Sequence, residues 1–133
     1  MKTLFVCEGN MMRSQMAEAF YNALTKSNDA MSAGATAETK DHISKRAIEA
    51  MGDVGMDTMN LRPKQLTEQM VNDAERVIYF PSDYMPDYVK QSEKAELWEV
   101  IDPHYHKEKG MELVRQVRDD IKIQVEKLIE ETA

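Results

Sequence analysis

Cys7, Arg13 and Ser14 are the residues whose types and spacing allow chemistry in this chain. They stand in the run L-F-V-C-E-G-N-M-M-R-S, residues 4–14. A thiolate at Cys7 is a nucleophile. The backbone N–H groups of Glu8, Gly9, Asn10, Met11, Met12 and Arg13 can converge on an oxyanion, with the positive end of a helix starting at Ser14 behind them. Arg13 adds a planar fork of donors that matches phosphate bidentately. A free cysteine at a strand end is often only a small core residue. Here the preceding apolar run, the glycine inside the loop and a helix opening at Ser14 favour a phosphate-facing nucleophile over a packing role.

Asp102 supplies the second half of the candidate site. Pro103 holds it in an extended backbone. Asp-Pro is also an ordinary turn initiator, so its weight comes from its partnership with the cysteine loop. A carboxylic acid placed there would protonate the leaving oxygen of a phosphate ester. Positioned acid catalysis of this kind is worth roughly 10²–10⁴-fold. The parts then give a two-step displacement. Cys7 attacks phosphorus, Arg13 and the loop amides hold the equatorial oxygens, and Asp102 protonates the departing group. Water next hydrolyses the cysteinyl phosphate with Asp102 as base. The helix N-terminus and Arg13 favour the thiolate, and the Ser14 hydroxyl is placed to donate to it.

Alternating strands and helices must bring these residues together. Apolar runs predict strands over residues 3–6, 30–33, 76–80 and 96–101. Helical spacing predicts helices over 14–26, 44–51, 63–71 and 111–129. In the first helix Met16, Ala19, Phe20, Ala23 and Leu24 form the expected inner face. In the last, Leu113, Val114, Val117, Ile121, Val125, Leu128 and Ile129 do so, with Arg115, Arg118, Lys122 and Glu126 outside. The expected fold is therefore α/β, a three-layer sandwich with a central four-stranded parallel sheet flanked by helices. Ligands bind such sheets at the carboxyl ends of strands, where both Cys7 and Asp102 fall. Residues 38–41 and 82–94 read as exposed connections, the second as a mobile flap beside the site.

Composition narrows the class. The 133 residues read as one domain, with 42% hydrophobic and 31% charged residues, as in soluble globular proteins. Neither a signal pattern nor an apolar run long enough to span a bilayer is evident. One cysteine rules out an internal disulfide and a Cys-rich metal site, and it fits a reducing, cytoplasmic compartment. His104 and His106 beside Asp102 read as a polar loop, so no metal is expected. The net charge of −7 excludes a generic polyanion-binding surface, and neither nucleic acid nor membrane is expected as a partner. An acidic protein that binds phosphate must do so by local design. The eleven methionines read mostly as core filler.

These residues resemble those of the low-molecular-weight protein tyrosine phosphatase family, whose fold includes the thioredoxin-coupled arsenate reductases. The likeness spans nearly the whole chain. It rests on V-C-E-G-N-M-M-R-S-Q-M-A-E-A at 6–19, S-A-G at 32–34, A-I-E-A-M at 47–51 and D-P at 102–103. It implies Cys7 as nucleophile, Arg13 as phosphate-binding arginine, Asp102 as general acid, Asn10 and Ser14 as supports of the loop, and no metal or organic cofactor. The implied activity is phosphate monoester hydrolysis, on a phosphorylated protein or a small aryl phosphate.

The segments W-E-V-I-D-P at 98–103 and V-R-D-D-I at 117–121 are similar to those of the arsenate-reductase branch. That branch's chemistry needs two further cysteines, and Pro81 and Tyr88 stand near their places. With one thiol, an arsenate reductase would need an external thiol. Met12 stands where eukaryotic phosphatases carry a second cysteine, and Gln15 where proline is usual. No Trp or Tyr follows S-A-G to wall a phosphotyrosine ring, and His104-Tyr105 replaces a pair of tyrosines. Met11 resembles the bulky aliphatic of tyrosine phosphatases more than the threonine of arginine phosphatases. The oxyanion implied is phosphate or arsenate. A domain that only captures phosphoproteins is the rival reading; pure binding would need neither the nucleophile nor the acid.

Overall fold

The computed structural model describes residues 1–132, and its centre is a parallel sheet. Its strands are β1 (Thr3–Cys7), β2 (Ala30–Gly34), β3 (Arg76–Tyr79) and β4 (Ala95–Leu97), in the order β2-β1-β3-β4. All three pairings are parallel, with Cys7 opposite Gly34 at the end of the β1–β2 ladder. Near-continuous burial of β1 fits a sheet covered on both faces. The α/β sandwich expected from the sequence is the observed fold.

Alternation along β1 assigns its side chains to two cores. Phe5 and Cys7 join the larger one, with Phe20, Ile78, Phe80, Trp98 and the inner faces of three helices, α1 (Arg13–Thr25), α2 (Lys45–Gly52) and the C-terminal helix. Leu4 and Val6 face the smaller one, with Val77, Val71, Met85 and Val89. Two short helices cover that second face, α3 (Glu68–Asp73) and α4 (Asp87–Lys90). A 3₁₀ segment (Pro103–Lys109) then leads into α5 (Gly110–Glu131), which buries Leu113, Val114, Val117, Ile121, Val125 and Leu128 as its periodicity requires.

Several expectations need correction. No helix covers residues 63–66. Gly34 N–H donates to the Lys64 carbonyl and Leu66 N–H to the Gly34 carbonyl, so this stretch runs as an extended strap along the end of β2. The helix begins later because Thr67 caps it, its side chain accepting from Met70 N. Strand β4 stops at Leu97 rather than residue 101. One further ladder bond runs from Trp98 N to Tyr79 O, and then Val100 N turns back onto Trp98 O at 2.8 Å. Residues 82–94 are no loose flap either: they contain α4 and anchor Met85 and Val89 in the smaller core. In α1 the buried face is rotated toward Arg13, Ser14, Gln15, Ala17 and Tyr21, leaving Leu24 exposed. Arg118, expected outside α5, is buried with Nη1 donating to the Ala50 carbonyl at 2.9 Å. No helix among the described residues is long and apolar enough to cross a membrane.

Gly34 is where the sheet and the cysteine loop touch. A Cβ there would lie 2.7 Å from Asn10 N, 2.8 Å from Gly9 C and 2.9 Å from Glu8 O, all backbone atoms that cannot step aside singly. Gly34→Ala should therefore cost about 1–3 kcal/mol of stability, as overpacking does. Gly52→Ala, with nothing within 4 Å of the new methyl, should be neutral or stabilising by up to about 1 kcal/mol. Urea unfolding followed by the fluorescence of buried Trp98 reads both, and equal midpoints would contradict the contact.

Candidate active site

The end of β1 places Cys7, which is 3% exposed, at the floor of a cavity of about 320 Å³. From there the chain folds into a loop whose carbonyls turn outward. Cys7 O accepts from Ala35 N, Glu8 O from Thr36 N and Thr36 Oγ1, and Met11 O from Ser44 N. The backbone N–H groups from Glu8 through Ser14 donate to no protein acceptor among the described residues. Helix α1 starts at Arg13 without a side-chain cap, and its first turn holds no acidic residue. The loop thus presents unpaired amides and a helix N-terminus, the backbone chemistry of an anion site.

Asn10 sustains that shape. It is fully buried and sits at φ 54°, a left-handed conformation that Asn tolerates better than most residues. Its Oδ1 accepts from Lys64 N at 2.8 Å and Gln15 Nε2 at 3.0 Å, and its Nδ2 donates to Ser14 Oγ at 2.7 Å. Gln15 Nε2 also donates to Arg62 O at 3.0 Å. Ser14 Oγ lies 2.9 Å from Cys7 Sγ. Since Asn10 already donates to this oxygen, the serine proton is left for the sulfur. A thiolate at Cys7 thus receives a hydrogen bond from a buried hydroxyl.

Arg13 and Asp102 meet at the other side of the cavity. Arg13 is 2% exposed, and its Nη1 donates to Pro81 O at 3.1 Å and Val100 O at 3.0 Å. Its Nη2 donates to Asp102 Oδ2 at 3.1 Å, and the guanidinium carbon stands 5.5 Å from the centre of the Phe80 ring. A guanidinium has five N–H donors; Nε–H and one Nη2–H have no partner among the described residues and are available to a ligand. Asp102 caps the 3₁₀ segment, its Oδ1 accepting from His104 N at 3.0 Å, with Pro103 at the first turn. Cys7, Glu8, Gly9, Met11, Met12, Arg13 and Asp102 all line the cavity; Asn10 and Ser14 lie behind the loop rather than in its wall. Thr36, Lys40, Ser44, Arg46, His104 and Lys107 also line it, and no local pattern in the sequence marks them as site residues. Nor does one signal Gly34, Lys64 and Gln15 as supports, although S-A-G is part of the resemblance. Among the described residues no group of three or more His, Cys, Asp or Glu side chains is placed to hold a metal.

Glu8 ties three segments at the cavity mouth. Its Oε1 accepts from Ser82 Oγ at 2.8 Å, and its Oε2 accepts from the Tyr105 hydroxyl. That hydrogen bond is the main cause pushing the Tyr105 phenol up to about 12, with the charges of Glu8 and Asp102 adding to it. The protonated phenol is the form that holds the tie. The contact is complete below the ordinary tyrosine value of about 10 and is lost as pH rises through about 12. In an ultraviolet titration, Glu8→Gln should move one phenol back toward its ordinary value, and Tyr105→Phe should remove that same transition. An unchanged titration curve in Glu8→Gln would refute the tie.

Comparison with known proteins agrees with this geometry. The family model described as low molecular weight phosphotyrosine protein phosphatase matches residues 2–133. The glutaredoxin arsenate reductase of Synechocystis sp. is 31% identical over 131 residues, covering 96% of this chain and 95% of that protein. An arsenate reductase of Staphylococcus aureus is 33% identical over 129 residues, covering 92% and 91%. The crystal structure of a low molecular weight protein tyrosine phosphatase from T. tengcongensis superposes with a TM-score of 0.83 at 29% identity, covering 98% of this chain and 99% of its own. A family match over nearly the full length, on a parallel sheet that sets a cysteine loop at its carboxyl edge, decides the lineage: this chain belongs to the low-molecular-weight phosphotyrosine protein phosphatase family.

Proposed function

We propose that the protein hydrolyses phosphate monoesters through a cysteinyl-phosphate intermediate, with a phosphotyrosyl or other aryl phosphate as substrate. The observation that carries this reading is the ring of unpaired loop amides around Cys7, with Arg13 and Asp102 paired at its side. The phosphate enters with its oxygens on the loop amides and on the free Nε–H and Nη2–H of Arg13. Cys7 Sγ attacks phosphorus, the S–P bond forms, and the ester P–O bond breaks. Asp102, protonated for this step, gives its proton to the leaving oxygen. Water then attacks phosphorus while Asp102 takes a proton from it, the S–P bond breaks, and phosphate leaves. Ser14 stabilises the thiolate released in that step.

A second reading has a specific observation behind it: the curated relatives cited above are named arsenate reductases. The same cradle accepts arsenate, a tetrahedral oxyanion like phosphate. Reduction of arsenic, however, takes two electrons from two thiols, and this chain carries one cysteine. The second thiol would have to come from outside.

Three outcomes test the assignment. Cys7→Ser should abolish turnover of an aryl phosphate while inorganic phosphate still binds by calorimetry; residual turnover would overturn the covalent route. Arg13→Lys should be damaging as well, because an ammonium cannot reproduce the fork or satisfy Pro81 O, Val100 O and Asp102 together. Asp102→Asn should slow hydrolysis of esters with poor leaving groups by roughly 10²–10⁴, and far less for good ones that need no proton. Assayed beside these, arsenate with thioredoxin alone should not be turned over. Efficient arsenate reduction with a small thiol and negligible aryl phosphatase activity would favour the second reading.

A further inference from the structure

The cavity is lined by charges that oxyanion capture does not use. Besides Arg13, three cationic side chains line it: Lys40, Arg46 and Lys107. Lys40 lies on the connection after β2, Arg46 in the first turn of α2, and Lys107 in the 3₁₀ segment beyond Asp102. None of the three makes an ion pair among the described residues. The two carboxylates that line the cavity are already engaged, Glu8 by Ser82 and Tyr105, Asp102 by Arg13 and His104 N. Four cations against two occupied carboxylates give this hollow a local excess of positive charge. The chain around it is acidic, with a net charge of −7. Leaving three cations unpaired there, on a protein with many carboxylates to spare, sets up a field that attracts anions to this one place.

Apolar recognition of an aryl group is sparse in the lining: among the described residues no Phe, Tyr or Trp side chain contributes to it, and its one aromatic ring is the His104 imidazole. Met11 and Met12 offer soft apolar contact without fixing a ring. With so little to grip a ring, discrimination between substrates falls chiefly to charge. The cations sit on separate segments, Lys40 and Arg46 after β2 and Lys107 after β4. A ligand that answers both carries negative charge beyond the phosphate itself, as a peptide does with acidic side chains flanking its phosphorylated residue.

We propose that Lys40, Arg46 and Lys107 form a carboxylate-binding rim that selects phosphotyrosyl peptides whose neighbouring residues are Asp or Glu. This rests on the phosphatase reading above and names its substrate class. Rim ion pairs of this kind are exposed and individually weak, so the effect is the sum of several, and it is screened by salt.

The test uses two phosphotyrosyl peptides of one length, flanked by Glu in one and by Gln in the other. Binding is measured by calorimetry to the full chain carrying Cys7→Ser, so that no turnover is needed. The acidic peptide should bind about tenfold more tightly at low salt, and the ratio should shrink as salt rises. Adding Lys40→Gln, Arg46→Gln and Lys107→Gln should bring the ratio close to one, with circular dichroism confirming an unchanged fold. Equal binding of the two peptides, a ratio that survives the triple substitution, or failure of both peptides to bind would overturn the rim. Hydrolysis of a simple aryl phosphate by the unsubstituted protein is scored separately. Its absence would overturn the phosphatase reading, whereas its presence without peptide discrimination would overturn the rim alone.

Discussion

The cysteine loop lies directly on the backbone of Gly34, and the rest of the site depends on that contact. A methyl group at position 34 would enter the space of Glu8, Gly9 and Asn10. Because the loop sits so close, its carbonyls reach Ala35, Thr36 and Ser44 on neighbouring segments. With the carbonyls of Cys7, Glu8 and Met11 satisfied outward, the N–H groups of Glu8, Gly9 and Met12 on the opposite side of those peptide planes point inward. The anion cradle is thus a consequence of where the loop's acceptors are anchored. Asn10 completes it by clamping the loop to the strap at Lys64 while holding Ser14 against the sulfur. One buried carboxamide couples the backbone shape to the environment of the Cys7 sulfur.

Burying the Arg13 guanidinium is the second demand on the fold. An ion taken out of water costs several kcal/mol unless its donors are met. Here three of its five donors are met by the carbonyls of Pro81 and Val100 and by Asp102, and the face of Phe80 packs beside it. Residues 80 and 81 follow β3; residues 100 and 102 follow β4. The turns after β3 and β4 therefore converge on a charge carried by the first helix. The early end of β4 belongs to the same arrangement, since the reversal at Val100 N directs the chain so that Val100 O meets Nη1. Packing and site chemistry use the same atoms.

Legibility in the sequence follows from the range of the interactions involved. The loop from Cys7 to Ser14, the Asp102-Pro103 step and the stripe of α5 are local patterns, so they could be read directly. The strap at 63–66 could not: Pro63 suits a first helical turn as well as an extended one. What decides is the capture of Lys64 by Asn10 and Gly34, distant in sequence. The inner face of α1 misled for a related reason. Arg13, Ser14 and Gln15 are polar yet buried because they serve the loop, so hydrophobic periodicity rotated the face toward Leu24. Lys40, Arg46 and Lys107 carry no periodic signal, and only the folded cavity unites them.

The single thiol then constrains the chemistry more than the cradle does. Phosphate and arsenate share a tetrahedral shape, and the amides cannot tell one from the other. The two differ in what an adduct on Cys7 requires next. A phosphoryl group keeps its oxidation state, and its release needs only water and a base. Asp102 borders the same cavity as the sulfur, with Oδ2 on Arg13 and Oδ1 on the backbone of His104. An arsenic adduct must gain two electrons, which requires thiol sulfur from outside the chain to reach Cys7 or the arsenic it holds, a disulfide forming as arsenic is reduced. Cys7 is 3% exposed, at the floor of its cavity. The approach of such a thiol is confined to the cavity lined by Glu8, Asp102, Lys40, Arg46 and Lys107. Water meets no such restriction, and that difference in access supports the hydrolytic reading proposed above.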